Sequence, residues 1–356
     1  MDLQGATTGS VTAINNQGQV VGSIFDLSYP RTHATLWNGS TPTDIGTFGT
    51  LNGSQSNAIG VNNTGVIVGS ADYQAVVWNG STTVILGTGS ANSINTFGQV
   101  VGTSGAPGGM HATLWNGTTA TDLGTLGGSS SGACSINDNG EIVGSSAPAG
   151  DPIAFLGFGG VGYYASYATL WNETTITNLG TLGGGISWAS SINNAGQVVG
   201  TSYLAGNAVK HATLWTGTVA TDLGTLGGVD SYAYDINNFG QIVGTDQGRA
   251  TLWDGTDATD LNSFLDDSLR NSGWYLYSAV SINDGGAIVG SARNGLTGQI
   301  QPYLLSPATV PEPGTYFLFL TAMLLLTFFQ KRKVIQNGVE FCHPAPPTAT
   351  NQNPVQ

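Results

Sequence analysis

Three histidines occupy one position of a repeated segment: His33, His111 and His211 each precede an Ala-Thr-Leu-Trp run. Three imidazoles invite a zinc site. The same position holds Gln74, Tyr167 and Arg249 in other copies, and equivalent residues of a repeat array are spread along it rather than converged. A polar group at the end of the tryptophan strand accounts for the pattern without a metal. Aspartate recurs too, at Asp44, Asp122, Asp222 and Asp260, with Asn178 and Ile85 in two further copies. Alternation with asparagine suits a turn or backbone hydrogen-bonding role better than general acid–base work. Zinc spacings, calcium loops, phosphate loops, dinucleotide fingerprints and nucleophile elbows are all missing from the sequence. No catalytic residue, metal or cofactor is therefore assigned. An enzyme stays open, because a site assembled from separate repeats leaves no local motif.

The elements that carry these residues are best read from one copy, Ser191–Gly228. Asn193-Asn194-Ala195-Gly196 has turn chemistry, since asparagine tolerates left-handed backbone angles and glycine adopts them freely. With Ser191-Ile192 and Gln197–Val199 on either side, it reads as a tight hairpin. His211–Trp215 is a third strand and Val219–Leu223 a fourth, followed by a glycine-rich link to the next copy. Side chains alternate faces along a strand, so Leu214 and Trp215 point opposite ways, as do Val198 and Val199. Large apolar groups on both faces require a sheet covered on both sides. Four short strands per unit, each sheet between neighbours, is the situation of a β-propeller blade. A β-helix or other stacked solenoid is the alternative.

Seven hairpins recur, with their first asparagine at Asn15, Asn62, Asn95, Asn137, Asn193, Asn237 and Asn283. Six lead into a tryptophan strand (Trp37, Trp78, Trp115, Trp171, Trp215, Trp253), and the seventh ends in Pro302–Pro307. The last unit lacks its fourth strand, whereas Asp2-Leu3 looks like one without a unit. The expected architecture is all-β: a β-propeller of seven blades with about four strands each, its two ends completing one blade together. Unit lengths vary chiefly between the second and third strands. Ser145–Ser166 is the longest insertion there and carries Phe155, Phe158, Tyr163 and Tyr164 among glycines. Loops sharing one rim are where binding resides, so these four aromatics are a candidate partner-binding loop. The plainer reading folds them onto the blade beneath.

Composition narrows the function classes. Eight Lys plus Arg stand against 21 Asp plus Glu, a formal charge of −13. That excludes nucleic-acid binding, which needs a basic footprint. Fifty-four glycines without a collagen period fit a chain that turns every few residues. The two cysteines, Cys134 and Cys342, lie on opposite sides of an apolar segment. No disulfide is expected between them, and the fold must hold by packing.

That apolar segment, Thr315–Phe329, follows Val310-Pro311-Glu312-Pro313-Gly314 and precedes Gln330-Lys331-Arg332-Lys333. An uncharged run ending in a basic cluster fits positive-inside anchoring, although fifteen residues is short for a bilayer span. The three parts resemble the PEP-CTERM sorting signal of bacterial surface and secreted proteins. The repeats in turn resemble the HAF family of putative extracellular repeats, through Ile-Asn-x-x-Gly-Gln-Val-Val-Gly, His-Ala-Thr-Leu-Trp and Asp-Leu-Gly-Thr-Leu-Gly-Gly. The resemblance implies that Pro311, Glu312 and Pro313 form a motif recognised by an exosortase-type sorting enzyme. It also implies membrane attachment through a helix at 315–329, followed by a cell-surface or extracellular location. Two features depart from that pattern: no export signal precedes the repeats, and the chain continues beyond the basic cluster. The expected organisation is a propeller over 1–308, a sorting signal over 309–333 and a disordered tail over 334–356. The expected role is a binding or structural module, extracellular-matrix associated, whose partner is a polysaccharide or a surface protein. The alternative is an extracellular polysaccharide hydrolase or lyase on the same scaffold.

Overall fold

The structure, a computed structural model, describes residues 8–26, 31–39, 41–46, 55–80, 82–150, 166–173, 175–307 and 339–341. Its fold is all-β and repeats one antiparallel unit. In the fifth copy the strands are Gly183–Ile192, Gln197–Leu204, Lys210–Thr216 and Val219–Asp222, hydrogen-bonded in that order. The hairpin forms where the sequence places it, with Gly196 at φ +74°. The first strand carries a bulge between Ala189 and Ser191. The second-strand glycine, Gly200, faces that region because a Cβ there would run into the Trp188 carbonyl oxygen. The same collision recurs in all seven copies, which is why each reads Val-Gly or its equivalent.

Both faces of each sheet are covered, as the paired apolar residues require. Trp215, wholly buried, packs with Val143, Ala168 and Leu179 of the preceding unit. Leu214 and Val199 lie on the other face with Ala233, Ile236 and Trp253 of the following one. A buried serine clasps neighbours together as well. Ser231 accepts the Ala212 N–H and donates to the Gly224 carbonyl, and Ser56, Ser131 and Ser187 repeat the device. The glycine-rich link after the fourth strand thus presents a carbonyl to the next unit. The first and last units also meet: Val11, Ile14, Val20 and Trp37 pack against Val289 and Leu304.

Seven separate four-stranded blades do not form. The described strands make five four-stranded sheets and one of seven strands. The merger comes from Thr83–Ile94, a twelve-residue strand that pairs with Gln74–Trp78 through its first half and with Val100–Ala106 through its second. At this junction the Asp-Leu-Gly-Thr-Leu-Gly-Gly link is shortened to Leu86-Gly87-Thr88-Gly89, so one unit's outer strand leads directly into the next unit's inner strand.

The last sheet also closes differently. Its fourth strand is Val339–Phe341, antiparallel to Ile300–Leu305. Part of the tail read as disordered therefore fills the place expected for Asp2-Leu3, which lie outside the described residues. No helix among the described residues is long and apolar enough to cross a membrane. The helices found are Leu261–Phe264 and Asp267–Asn271, of four and five residues. Residues 315–329 lie outside those described. The expected transmembrane helix at 315–329, with the membrane attachment and membrane-anchored location built on it, is corrected accordingly: the described residues hold no such helix.

Candidate functional site

The seven first strands converge on an axial cavity of about 470 Å³. Each contributes the residue following the one that opposes the second-strand glycine: Thr12, Ile59, Asn92, Cys134, Ser190, Tyr234 and Val280. One carboxylate, Asp235, joins them where other copies have Ser93, Ser135, Ser191 and Ser281. Its Oδ1 accepts the Ser191 hydroxyl and the Ile236 N–H at 2.7 and 2.9 Å. Its Oδ2 accepts the Ser281 hydroxyl and the Ile282 N–H, also at 2.7 and 2.9 Å. Burial raises the carboxyl above its ordinary range, and these four donors offset that only in part. Burial likewise pushes the Cys134 thiol up to about 11, so it stays protonated and unreactive near neutrality.

One end of the axis is ringed by the hairpin asparagines. Each donates its side-chain N–H to the backbone carbonyl of the next copy's asparagine, from Asn15 through Asn62, Asn95, Asn137, Asn193 and Asn237 to Asn283 and back to Asn15, at 2.9–3.2 Å. The side-chain oxygen meanwhile accepts backbone N–H groups of its own hairpin, as Asn193 does from Ala195 and Gln197. None of these asparagines has positive φ. They are there for this circle of hydrogen bonds, not for left-handed backbone. Asp138, half-buried in the second position, feels burial that raises it, but bonds from Thr96 and Asn194 outweigh this and hold it below the ordinary range.

The repeated histidines and aspartates prove to be partners. His33, His111 and His211 bond through Nδ1 to Asp44, Asp122 and Asp222, eleven residues on, at 2.9–3.0 Å. The same carboxylates accept the N–H of Gly46, Gly124 and Gly224, the turn role read from sequence. Each histidine serves its own unit. Among the described residues no group of three or more His, Cys, Asp or Glu side chains is placed to hold a metal ion. In the sixth copy Arg249 stands at the histidine position, 3.7 Å from Asp260 and 3.8 Å from the fully buried Asp246. Asp246 itself replaces Ser146 and Ser202, whose hydroxyls accept the corresponding leucine N–H groups.

Phe155, Phe158, Tyr163 and Tyr164, and likewise Pro311, Glu312 and Pro313, lie outside the described residues. A different feature of the loop-bearing rim stands out. Over the merged sheet lies an open depression of about 790 Å³, lined by Arg31, Gln55, Asn57, Ser70, Asp72, Tyr73, Thr88, Gly89, Ser90, Thr103 and Met110. Tyr73 is 89% exposed. Sequence reasoning passed over it. The available signal was the two-residue connection Asp72-Tyr73, where the sixth copy has Gln247-Gly248.

No family model matches the chain, and no curated protein matches it. Among solved structures it resembles the β-propeller domain of the Trilobed protease from Pyrococcus furiosus at 8% identity and TM-score 0.51, covering 83% of this chain and 93% of that one. It also aligns with dipeptidyl peptidase 4 of Porphyromonas gingivalis at 9% identity and TM-score 0.45, over 85% of this chain and 52% of that one. The first likeness shows the fold: the chain is a β-propeller. At such identities neither carries a function across.

Proposed function

We propose that this β-propeller serves as a non-catalytic binding or structural module. The lining of the axial cavity carries the reading. Hydrolysis and elimination need an acid and a base, or a nucleophile with a base in hydrogen-bond reach. Where the seven strands converge, the side chains are mainly hydroxyls, a carboxamide and aliphatic groups. The carboxylate among them is engaged by four donors, and the thiol is protonated by burial.

The test is to incubate the purified chain with a panel of soluble neutral polysaccharides. Affinity electrophoresis reports retention, and a reducing-end assay reports cleavage. Retention without new reducing ends is expected. Turnover that disappears in Asp235→Asn would refute the module and install the hydrolase or lyase reading instead.

A further inference from the structure

The rim depression over the merged sheet has a physical origin and an unusual guard. It lies where Thr83–Ile94 carries the chain from one unit into the next through a shortened link, Leu86-Gly87-Thr88-Gly89, that lacks the Leu-Gly of the Gly-Thr-Leu-Gly-Gly link after the third, fourth and fifth copies. Beside it, Asp72 and Tyr73 both have positive φ, +46° and +64°. A bulky residue rarely adopts that conformation, because its Cβ crowds the neighbouring carbonyl. The equivalent turn of the sixth copy solves the problem with Gly248. The chain therefore accepts backbone strain at Tyr73, and exposes an aromatic ring almost entirely to water. A two-residue hairpin requires positive φ at both positions, and a non-glycine residue kept there against strain is a feature of functional sites. The turn is held firmly: the Asp72 N–H donates to the Gln55 carbonyl and the Gly89 N–H to the Tyr73 carbonyl, at 3.2 and 2.8 Å.

Resting on the binding-module reading, we propose that this depression binds a neutral polysaccharide chain. The Tyr73 ring stacks on a sugar face, and the Gln55 and Asn57 carboxamides bond its hydroxyls. Its volume is within the range of ligand sites. Seven of its eleven lining residues carry a hydroxyl or carboxamide group, which matches a polyhydroxylated, uncharged ligand. A polyanion would call for several cations, whereas Arg31 is the one basic residue here and Asp72 offsets it. A lipid or apolar peptide would need more than one ring and Met110.

Tyr73→Gly installs the residue the sixth copy uses and relieves the turn, so it leaves the fold at least as stable. With the polysaccharide that retains the wild-type chain most strongly, Tyr73→Gly is expected to weaken binding about tenfold, and Gln55→Ala to weaken it measurably. A thermal melt verifies that both variants are folded. Unchanged binding by Tyr73→Gly overturns the site but leaves the module reading standing, since retention then comes from elsewhere. Failure of the wild-type chain to bind any neutral polysaccharide, or selective retention by a polyanion or a peptide, overturns the ligand class. Cleavage of the polysaccharide, by contrast, refutes the module reading itself.

Discussion

Replacing Asn193 by alanine removes four hydrogen bonds at once. Two are accepted from the Ala195 and Gln197 N–H groups, and two are donated to Gln197 Oε1 and the Asn237 carbonyl. At roughly 1 kcal/mol net for each neutral bond, the full loss approaches about 4 kcal/mol. Water can reach the exposed Ala195 N–H, which reduces the expected cost to about 3 kcal/mol. Asn193→Asp is a sharper probe. It keeps both accepted bonds but sets a carboxylate against two oxygens at a site only 3% exposed. Its folded-state pKa is thereby raised above the unfolded value of about 3.9. The sign follows: the variant is least impaired below that pH and loses stability as pH rises through the raised value. Asn193→Ala has no such pH dependence. Urea unfolding followed by tryptophan fluorescence at pH 4 and pH 7 measures both. A loss under about 1 kcal/mol for Asn193→Ala, or wild-type stability for Asn193→Asp at pH 7, refutes a circle that couples the units. Asn283→Ala extends the test to the joint between last and first units, since it removes the bond to the Asn15 carbonyl. It too should be clearly destabilising.

Four further substitutions test the reading. Gly200→Ala, whose methyl would strike the Trp188 carbonyl, should cost about 3 kcal/mol in the same urea titration. Arg249→Ala should cost about 2 kcal/mol by leaving the buried Asp246 carboxylate without its neighbouring cation. Asp246→Ser, which restores the hydroxyl of other copies, should stay within about 1 kcal/mol of wild type and abolish most of the Arg249→Ala effect. Burial, aided by Tyr232 and Tyr277, pushes Tyr234 up to about 12 from 10. Its contribution is thus present below pH 10 and lost as pH rises toward 12. Tyr234→Phe should flatten that alkaline decline in melting temperature, and an unchanged slope would contradict the assignment.

The repeat, its hairpins and the two-sided burial of each sheet could be read along the chain. Each rests on neighbours in sequence: Gly196 beside its asparagines, and Leu214 beside Trp215 on opposite faces of one strand. The candidate site was much less legible. Tyr73 looks like one more tyrosine until the turn that strains it is seen, and it lines a depression made by residues from three successive units.

Partners distant in sequence are what only the tertiary structure decided. Asn283 and Asn15 are 268 residues apart, and nothing local distinguishes an asparagine that serves a turn from one that bonds the next unit. The merger of two sheets through Thr83–Ile94 depends on a shortened link, whose effect appears only when both halves of the strand find partners. The last sheet's fourth strand comes from Val339–Phe341, beyond a long intervening segment. Backbone hydrogen bonds at a sheet edge are satisfied by any chain that reaches them. The repeat pattern therefore determines the unit, and the contacts around the axis determine how the units join and where an opening is left.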